Sequence, residues 1–540
     1  MSSCGAASTP APVASTTCDP SPAAAPPKRS AGTGSVSFSD VTESVGLGGI
    51  RSASASVGDF NRDGRADFLV AGPGDPDDFG DDEVRVYGGC GGRYVPVFTQ
   101  IVEGVSALLP GGRASTVHDL DGDGHLDFIV AFPRSLVAWY GSGDFRFESV
   151  GLWQHDVESL NTVASLSPFY LDGVQHLYVA VEGEPTADRQ PEAADVILRR
   201  EGQGRTYVDV TETYPVLRAA GEFSTLAFGV VSRVGQGLPS LVFIGNDGAE
   251  DALIALGSNG AMTPLTLPPF NPRTATMGVD YRYDDRTGEV DLVISDIARI
   301  PLLHVAPSGV TDASERLTLL GKIVTWGLAF ADLDNDGDED LAVAAGFSEN
   351  LGEGTERKDL LRTGKLLYFE DDGTGRLTDR SAHAGPLFTS DAANYYSLVT
   401  TDFDRDGCID LLVTPLEKLV GNRVETDTSV RLLRNDCATG NAFLGFEVPD
   451  DLGAQVRLRV TTRSGAQRTR YREVKAATGL ASRGEATLLH FGLGDVATVD
   501  AAAVLWSDGT EQSLPVGAPG GYTRVSRAKT TGGRAVRSPR

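Results

Sequence analysis

The stretch Asp332-Leu-Asp334-Asn-Asp336-Gly337-Asp-Glu-Asp340, which runs directly into the apolar residues Leu341-Ala-Val343, decides the fold. Its pattern, D-x-[DN]-x-D-G-x-x-D, occurs three more times, in stretches that begin at Asp59, Asp119 and Asp402. Each copy has Phe or Leu at its second position, and each is followed at once by an apolar run. Agreement at so many positions indicates an internal structural repeat.

Degenerate copies of this unit stand at the expected places between the second and third complete copies. They are Phe169-Tyr-Leu-Asp172-Gly173, the stretch 229–239 and the stretch 280–291, and each leads into an apolar run. The sequence therefore contains seven units. The average spacing from Asp59 to Asp402 is about 57 residues per unit, which suits a four-stranded blade with long loops.

A second repeat gives the same number of units. Each apolar run is followed by a further strand, a turn rich in Gly, Asn or Asp, and another strand. These turns begin at Gly88, Gly141, Glu201, Gly257, Pro307, Asp371 and Asn435. Gly and Asn supply the positive φ that hairpin turns need. Long stretches with a 3.6-residue period are absent, so helices should be minor.

These repeats predict an all-β protein. Strands in units of this length need neighbours to bury their second face, and radial packing around an axis gives every unit a neighbour and protects the edges. We therefore predict a seven-bladed β-propeller followed by a small C-terminal β domain. The alternative is an open β-solenoid array.

The acidic loops predict metal centres. In this pattern we expect the side-chain oxygen atoms of positions 1, 3 and 5 to point toward one place, and Gly at position 6 allows the sharp turn this needs. Position 7 offers its backbone carbonyl, and Asp at position 9 completes the ligand set. Such hard oxygen donors fit Ca²⁺. We expect side-chain ligands at Asp59, Asn61, Asp63 and Asp67, at Asp119, Asp121, Asp123 and Asp127, at Asp332, Asp334, Asp336 and Asp340, and at Asp402, Asp404, Asp406 and Asp410. The carbonyl donors are Arg65, His125, Asp338 and Cys408.

A fifth calcium site of altered spacing is expected at Asp280, Asp284 and Asp291, whereas Asp172 and the region of Ser232 should have lost metal. An EF-hand would need an acidic residue at position 12, where this chain has Val in all four loops. The remaining alternative is that Asp-Gly turns are simply favourable turns. Without a cation, however, the clustered carboxylates would repel one another.

Composition limits the partners. The 540 residues carry a formal net charge of −27 with a pI near 4.6, which argues against nucleic acid and anionic membranes. No apolar stretch of 18 residues is present to span a bilayer. The Ala-, Ser-, Thr- and Pro-rich residues 1–35 should be a disordered tether, and Cys4 resembles a lipoprotein anchor. Cys408 and Cys437 either pair or remain free thiols.

The repeats resemble the FG-GAP/VCBS repeats of integrin α-like propellers, and Trp326-Gly-Leu-Ala-Phe-Ala-Asp332 resembles the cartilage acidic protein family. Further on, Leu489-His-Phe-Gly-Leu-Gly494 and Val504-Leu-Trp506-Ser-Asp-Gly509 are similar to the ASPIC/UnbV domain. The resemblance covers about residues 36–527. One departure is Leu480-Ala-Ser-Arg483, where the family has an aromatic-x-Ser-Gln segment. The resemblance implies secreted or surface binding proteins, and bacterial relatives also occur beside enediyne biosynthetic genes.

Four segments follow from these observations: a tether at 1–35, a propeller at 36–439, an ASPIC/UnbV-like β domain at 440–527 and a basic tail at 528–540. No catalytic motif is recognisable, and His118, His125 and His490 are expected to be structural. The leading hypothesis is an extracellular, periplasmic or surface-anchored monomer that binds calcium and a protein or glycan ligand. The alternative is a calcium-stabilised propeller enzyme, or an accessory protein, in the biosynthesis of an enediyne-type natural product.

Overall fold

The computed structural model describes residues 34–528 with internal gaps. The gaps are 53, 76–77, 103–113, 133–134, 155–161, 183–194, 219–224, 232–239, 248, 258–259, 270–274, 298, 319–322, 347–363, 390–393, 416–417, 421–422, 426–428, 438, 477–479 and 481. Cys4, the region of Ser232, and nearly all of the predicted tether and tail lie outside the described residues.

In the part of the chain that the structure describes, residues 38–435 form seven four-stranded antiparallel sheets. After β1 (Phe38–Asp40), the first three sheets are β2 (Ala55–Gly58), β3 (Asp67–Asp75), β4 (Asp78–Cys90) and β5 (Arg93–Val102); β6 (Ser115–His118), β7 (Asp127–Phe132), β8 (Ser135–Gly141) and β9 (Phe147–Gln154); and β10 (Thr162–Leu171), β11 (Val174–Glu182), β12 (Val196–Arg200) and β13 (Tyr207–Asp209).

The next three sheets repeat the arrangement. They are β14 (Thr225–Val231), β15 (Ser240–Asn246), β16 (Ala252–Leu256) and β17 (Met262–Leu265); β18 (Val279–Tyr283), β19 (Val290–Ile294), β20 (Leu302–Ala306) and β21 (Gly309–Asp312); and β22 (Thr325–Ala331), β23 (Asp340–Ala345), β24 (Leu366–Asp371) and β25 (Leu377–Asp379). The helices α1 (Pro215–Arg218) and α2 (Pro386–Thr389) have four residues each.

The seventh sheet is built from both ends of this region. It contains β26 (Tyr395–Thr401), β27 (Asp410–Pro415) and β30 (Arg431–Asn435), and β1 pairs antiparallel with β30 as its fourth strand. The hairpin of β28 (Lys418–Val420) and β29 (Arg423–Glu425) lies between β27 and β30 in the chain. The N-terminal strand therefore completes the last sheet.

The first strands of the seven sheets contact one another in a closed cycle. β2 contacts β6, and the contacts continue through β10, β14, β18 and β22 to β26, which contacts β2 again. We call this arrangement of residues 38–435 the ring. In this cycle each sheet has a neighbour on both sides, and the pairing of β1 with β30 joins the two ends of the region within the seventh sheet.

The apolar runs that follow the acidic loops become strands buried on both faces. In β23, Leu341 and Val343 pack in a cluster with residues of the fifth sheet, whereas Ala342 and Ala344 pack with residues of the seventh sheet. Strands β7, β19, β23 and β27 are buried along their whole length. The all-β prediction is confirmed, and the continuous apolar runs reflect burial between two neighbouring sheets.

Two further sheets follow the ring. One contains β31 (Phe443–Glu447), β34 (Leu488–Gly492) and β37 (Gly521–Arg524), and the other contains β32 (Gln455–Thr462), β33 (Gln467–Glu473), β35 (Val496–Leu505) and β36 (Glu511–Leu514). Their shared core includes Phe446, Val456, Phe491 and Trp506. Among the described residues, no helix has the length and hydropathy needed to cross a bilayer.

Candidate metal centres

The aspartate at position 9 fastens each acidic loop to its sheet. One of its carboxylate oxygens accepts the backbone N–H of position 2, and the other accepts the N–H of the last or penultimate residue of the third strand. The two N–H donors belong to Phe60 and Gly89 for Asp67, Leu120 and Gly141 for Asp127, Leu333 and Asp371 for Asp340, and Phe403 and Asn435 for Asp410. The N···O distances are 2.7–3.2 Å. The sequence pattern alone suggested only a ligand role for this residue.

The backbone of each loop turns so that its amides point inward. Position 4 has positive φ in every copy, at Arg62, Gly122, Asn335 and Arg405, and so does the glycine at position 6. The carboxylate at position 5 accepts the N–H of position 7 in each loop, from Arg65, His125, Asp338 and Cys408, at 2.7–2.9 Å. In three of the loops, the carboxylates of positions 1 and 3 belong to one converging group.

Three of the four loops bring carboxylates together. Among the described residues, groups of three offer oxygen atoms within 4.8 Å of one another: Asp119, Asp121 and Asp127; Asp332, Asp334 and Asp336; and Asp402, Asp404 and Asp410. Asp123, Asp340 and Asp406 lie in these loops but outside the converging groups. In the first loop the carboxylates of Asp59, Asp63 and Asp67 do not converge to this distance, and the amide of Asn61 bonds to Asp63 at 3.0 Å.

Electrostatics make the convergent groups costly without a cation. Burial, and then the neighbouring carboxylates, raise the pKa values of Asp332, Asp334 and Asp336. Burial likewise raises the pKa of Asp127 to about 8, with Asp121 and Asp119 adding to it. A cation bound by these carboxylates would offset both the cost of burying their charges and the repulsion between them.

The donor set fits a hard divalent ion. Oδ1 of Asp332 and Oδ1 of Asp402 are buried, and neither has a hydrogen-bond partner in the described part of the chain. Buried carboxylate oxygens without partners are rare unless something else is bound to them. Groups of three aspartate carboxylates suit Ca²⁺ better than a soft metal.

The loop at 402–410 carries an internal cation and a disulfide. Arg434 donates to Asp404 and to Asp406, each at 2.7 Å. Cys408 and Cys437 form a disulfide with their Cα atoms 5.5 Å apart, which settles the two alternatives for these thiols. Nδ2 of Asn335 lies 3.0 Å from Sγ of Cys437, so the disulfide also contacts the loop at 332–340.

At the expected fifth site, each carboxylate has its own basic partner. Lys475 donates to Asp280 at 2.8 Å, Arg286 pairs with Asp284 at 2.8 Å, and Asp291 is held by Arg282 and Arg316. In the described chain these three aspartates do not form a converging group. Side-chain cations thus neutralise these three carboxylates in the fifth sheet, and calcium at this copy stays a prediction. At the degenerate third copy, Asp172 and Gly173 form only a tight hairpin turn.

Residues 448–531 match the family model described as ASPIC and UnbV. This finding confirms the C-terminal part of the resemblance inferred from the sequence, and we call these residues the ASPIC/UnbV segment. A comparison with curated proteins gave no match. The FG-GAP/VCBS and cartilage acidic protein resemblances stay predictions.

Several solved structures are similar to the chain at low identity. An α-L-arabinofuranosidase from Lactobacillus brevis is 13% identical, with 51% of this chain and 94% of that chain covered and a TM-score of 0.32. BBS1N in complex with ARL6DN is 10% identical, with 71% and 92% covered and a TM-score of 0.40. The WD40 β-propeller domain of Doa1 is 12% identical, with 75% and 97% covered and a TM-score of 0.38.

The ASPIC/UnbV segment lies against the acidic loops. Asp450 accepts the backbone N–H of Asp119 at 2.8 Å, Gly492 donates its N–H to Asp332 at 2.8 Å, and Tyr522 donates its hydroxyl to Asp402 at 2.5 Å. Arg524 of the same segment lies 3.6 Å from Asp59. All four loops are therefore contacted by this one segment.

Residues 482–485 of the segment bind the first strands of two neighbouring sheets of the ring. The backbone N–H of Ala55 donates to Oγ of Ser482, and the carbonyl of Arg483 accepts the N–H of Val57 at 2.9 Å. In the neighbouring first strand, β26, the carbonyl of Thr400 accepts the N–H of Glu485 at 3.0 Å. The stretch that departs from the family pattern is thus an internal contact.

His118 and Asp450 were not recognisable as partners in the sequence. Both side chains are at most 2% exposed, and Nδ1 of His118 contacts the carboxylate of Asp450. His490 bonds through Nε2 to Oδ1 of Asn335 at 2.5 Å. Because these partners are separated by more than 150 residues, no local motif signals them.

Proposed function

We propose that the chain is an exported calcium-binding protein whose ring is a seven-bladed β-propeller of the FG-GAP/VCBS type, and that it acts as a binding or scaffold protein for a protein or glycan ligand. The observation that carries the proposal is the set of three convergent carboxylate groups, two of which contain a buried oxygen that has no hydrogen-bond partner among the described residues. Such groups are stable when a divalent cation is bound.

The propeller assignment rests on the cycle of contacts between the first strands and on β1 as the last strand of the seventh sheet. Residues 36–439 form the propeller in this proposal, and residues 440–527 form the ASPIC/UnbV-like domain. Each acidic loop joins the first and second strands of its sheet, so all four lie on the same face of the ring, where the ASPIC/UnbV segment contacts them.

Two arguments support export. Loops of this type hold calcium with Kd values of roughly 10⁻⁴–10⁻³ M in extracellular modules, so they would stay empty in the cytosol. The disulfide between Cys408 and Cys437 also favours an oxidising compartment. We propose a monomer that is extracellular, periplasmic or held at the cell surface through a lipid at Cys4.

A calcium titration of the full chain tests the metal part of this proposal. We expect up to four bound Ca²⁺, which would change the net charge from −27 to about −19. Each site held at 100 times its Kd stabilises the protein by about 2.7 kcal/mol, so EGTA should lower the melting temperature markedly. An unchanged melting temperature with no calcium taken up at millimolar concentration would contradict the proposal.

The binding role needs a separate experiment. A glycan array and a pull-down from extracellular material, each with calcium and with EGTA, should give a ligand that is retained only with calcium. Retention of the same ligand in EGTA, by protein that has lost its bound calcium, would show that the centres do not support binding.

One observation favours the second candidate, an enzyme or accessory protein acting on a small natural product. A cavity of about 90 Å³ lies between the ring and the ASPIC/UnbV segment. Its walls carry Arg282, Glu339, Glu473 and Lys475, which are distant in sequence. Loss of a natural product on deletion of the gene, with production restored only by the intact cavity, would favour this candidate.

A further inference from the structure

The first carboxylates of the four acidic loops are held in two different ways. Asp59 and Asp119 are bonded by their own loops. The N–H groups of Asp63 and Gly64 donate to the two oxygens of Asp59, at 3.0 and 2.9 Å, and those of Gly122 and Gly124 donate to the two oxygens of Asp119, both at 2.8 Å. In these two loops, both oxygens of the position-1 carboxylate accept N–H groups of the same loop.

Asp332 and Asp402 are oriented instead with the help of the ASPIC/UnbV segment. Oδ2 of Asp332 accepts the N–H of Gly492 at 2.8 Å, and Oδ2 of Asp402 accepts the hydroxyl of Tyr522 at 2.5 Å together with the N–H of Gly407 at 2.9 Å. In both residues the other oxygen, Oδ1, is the buried atom without a partner in the described chain. The same arrangement therefore occurs at two loops through two unrelated donors.

Close approach at Asp332 requires glycine in the segment. A Cβ atom on Gly492 would lie 2.3 Å from Oδ2 of Asp332, and a Cβ on Gly494 would lie 2.6 Å from Cα of Asp336. The N–H of Gly494 also donates to the carbonyl of Asn335 at 3.0 Å. The Gly-Leu-Gly end of the stretch 489–494, which marks the family in the sequence, is thus the part that touches the loop at 332–340.

We propose that Tyr522 and the backbone N–H of Gly492 are positioning groups for two calcium centres, so that the centres at 332–340 and 402–410 reach full affinity only with the ASPIC/UnbV segment in place. This inference rests on the proposed function. A carboxylate with one oxygen fixed by a donor presents its other oxygen in a defined direction. The carboxylate side chain then loses less conformational freedom when a cation binds to it.

The test is a calcium titration by calorimetry of the full chain carrying Tyr522→Phe, beside the wild type. The substitution removes one hydroxyl and keeps the aromatic group, whose centroid lies 5.2 Å from that of the Phe443 side chain. We expect one site to weaken roughly 10–100-fold while the other sites keep their affinity. Tyr207→Phe is the matched control, because its hydroxyl bonds to Gln175 at 2.8 Å in the third sheet. The control should leave every site unchanged.

Two further measurements separate positioning from general stabilisation. In the background Asp402→Asn, Tyr522→Phe should cause no further loss of calcium affinity, because both act on the same centre. The melting temperature in EGTA should be nearly equal for wild type and Tyr522→Phe. A lower melting temperature in EGTA with unchanged calcium affinity would assign Tyr522 a structural role only and overturn the inference.

Gly492→Ala tests the second centre independently. It should weaken a different site from the one that Tyr522→Phe weakens, and the effects of the two substitutions should combine in the double variant. Unchanged affinities in both variants, with calcium bound normally by the wild type, would overturn the inference and leave the proposed function standing. A wild type that takes up no calcium would overturn both.

Discussion

Nη2 of Arg483 lies 2.7 Å from Oδ1 of Asp450, and both side chains are at most 3% exposed. The other oxygen of Asp450 accepts the N–H of Asp119 at 2.8 Å and contacts His118. Arg483 also donates to the carbonyl of Val117. The pair therefore joins the ASPIC/UnbV segment to the second sheet of the ring. Because both groups are buried, each charge would be uncompensated if the other were removed.

Removing one partner of this pair should be strongly destabilising. Asp450→Asn leaves the Arg483 guanidinium buried without its counter-charge, and loss of one member of a buried ion pair costs about 3–5 kcal/mol. We expect a lower urea midpoint for the substituted protein. Asp508→Asn is the control, because Asp508 is about half exposed and pairs with the half-exposed Arg527. A midpoint for Asp450→Asn equal to that of the control would mean that the pair contributes little.

Acid should weaken the same junction. Burial alone would raise the pKa of Asp450, but the guanidinium of Arg483 and the contact with His118 hold that pKa well below its ordinary value. A carboxyl group with a depressed folded-state pKa contributes stability above its unfolded pKa of about 3.9 and loses it as the pH falls further. The unfolding free energy of the wild type should therefore fall more steeply below pH 4 than that of Asp450→Asn. Parallel pH profiles would contradict this expectation.

The centre at 332–340 should account for part of the calcium dependence. Asp336→Ala removes one of its three converging carboxylates, and the melting temperature in calcium should fall toward the value in EGTA. The loss corresponds to about 2.7 kcal/mol if the site was held at 100 times its Kd. In EGTA the same variant should be no less stable than the wild type, because removing one acidic group relieves repulsion. Greater loss in EGTA than in calcium would argue against a metal centre.

Arg434 should compete with calcium at the loop 402–410. Its guanidinium neutralises Asp404 and Asp406, so Arg434→Gln should raise the calcium affinity of this site by roughly tenfold and lower the stability in EGTA. Calorimetry with calcium measures the first effect and thermal melting measures the second. Arg434→Lys, which keeps the charge, should stay close to the wild type. An affinity that falls in Arg434→Gln would show that the arginine supports the site.

The disulfide should stabilise the seventh sheet. Cys408 and Cys437 are 29 residues apart, and the loop-entropy relation for a cross-link of this length gives about 3.6 kcal/mol. The double variant Cys408→Ser, Cys437→Ser should unfold at a correspondingly lower urea concentration. Adding a reductant to the wild type under denaturing conditions should reproduce the effect, and the double variant should not respond. Equal midpoints for both proteins would show that the cross-link adds no stability.

The sequence by itself indicated an all-β chain of repeated units and the position of each acidic loop. Those features depend on neighbouring residues: the loop pattern 332–340 requires particular side chains at fixed spacing, and the apolar run that follows it needs burial on both faces. The stretch 489–494 likewise indicated the C-terminal family from a few adjacent residues. Local chemistry of this kind is visible in any single copy and is reinforced by repetition.

Only the tertiary structure decided how the loops are completed. Closure of the ring by Phe38–Asp40, the pairing of Asp280 with Lys475, the arginine at Asp404 and the hydroxyl of Tyr522 at Asp402 join residues far apart in the chain. A carboxylate has the same appearance in the sequence whether a metal ion, an arginine or a backbone amide will neutralise it. Folding selects among them, because a buried charge is stabilised by the donor that the surrounding packing brings within hydrogen-bond distance.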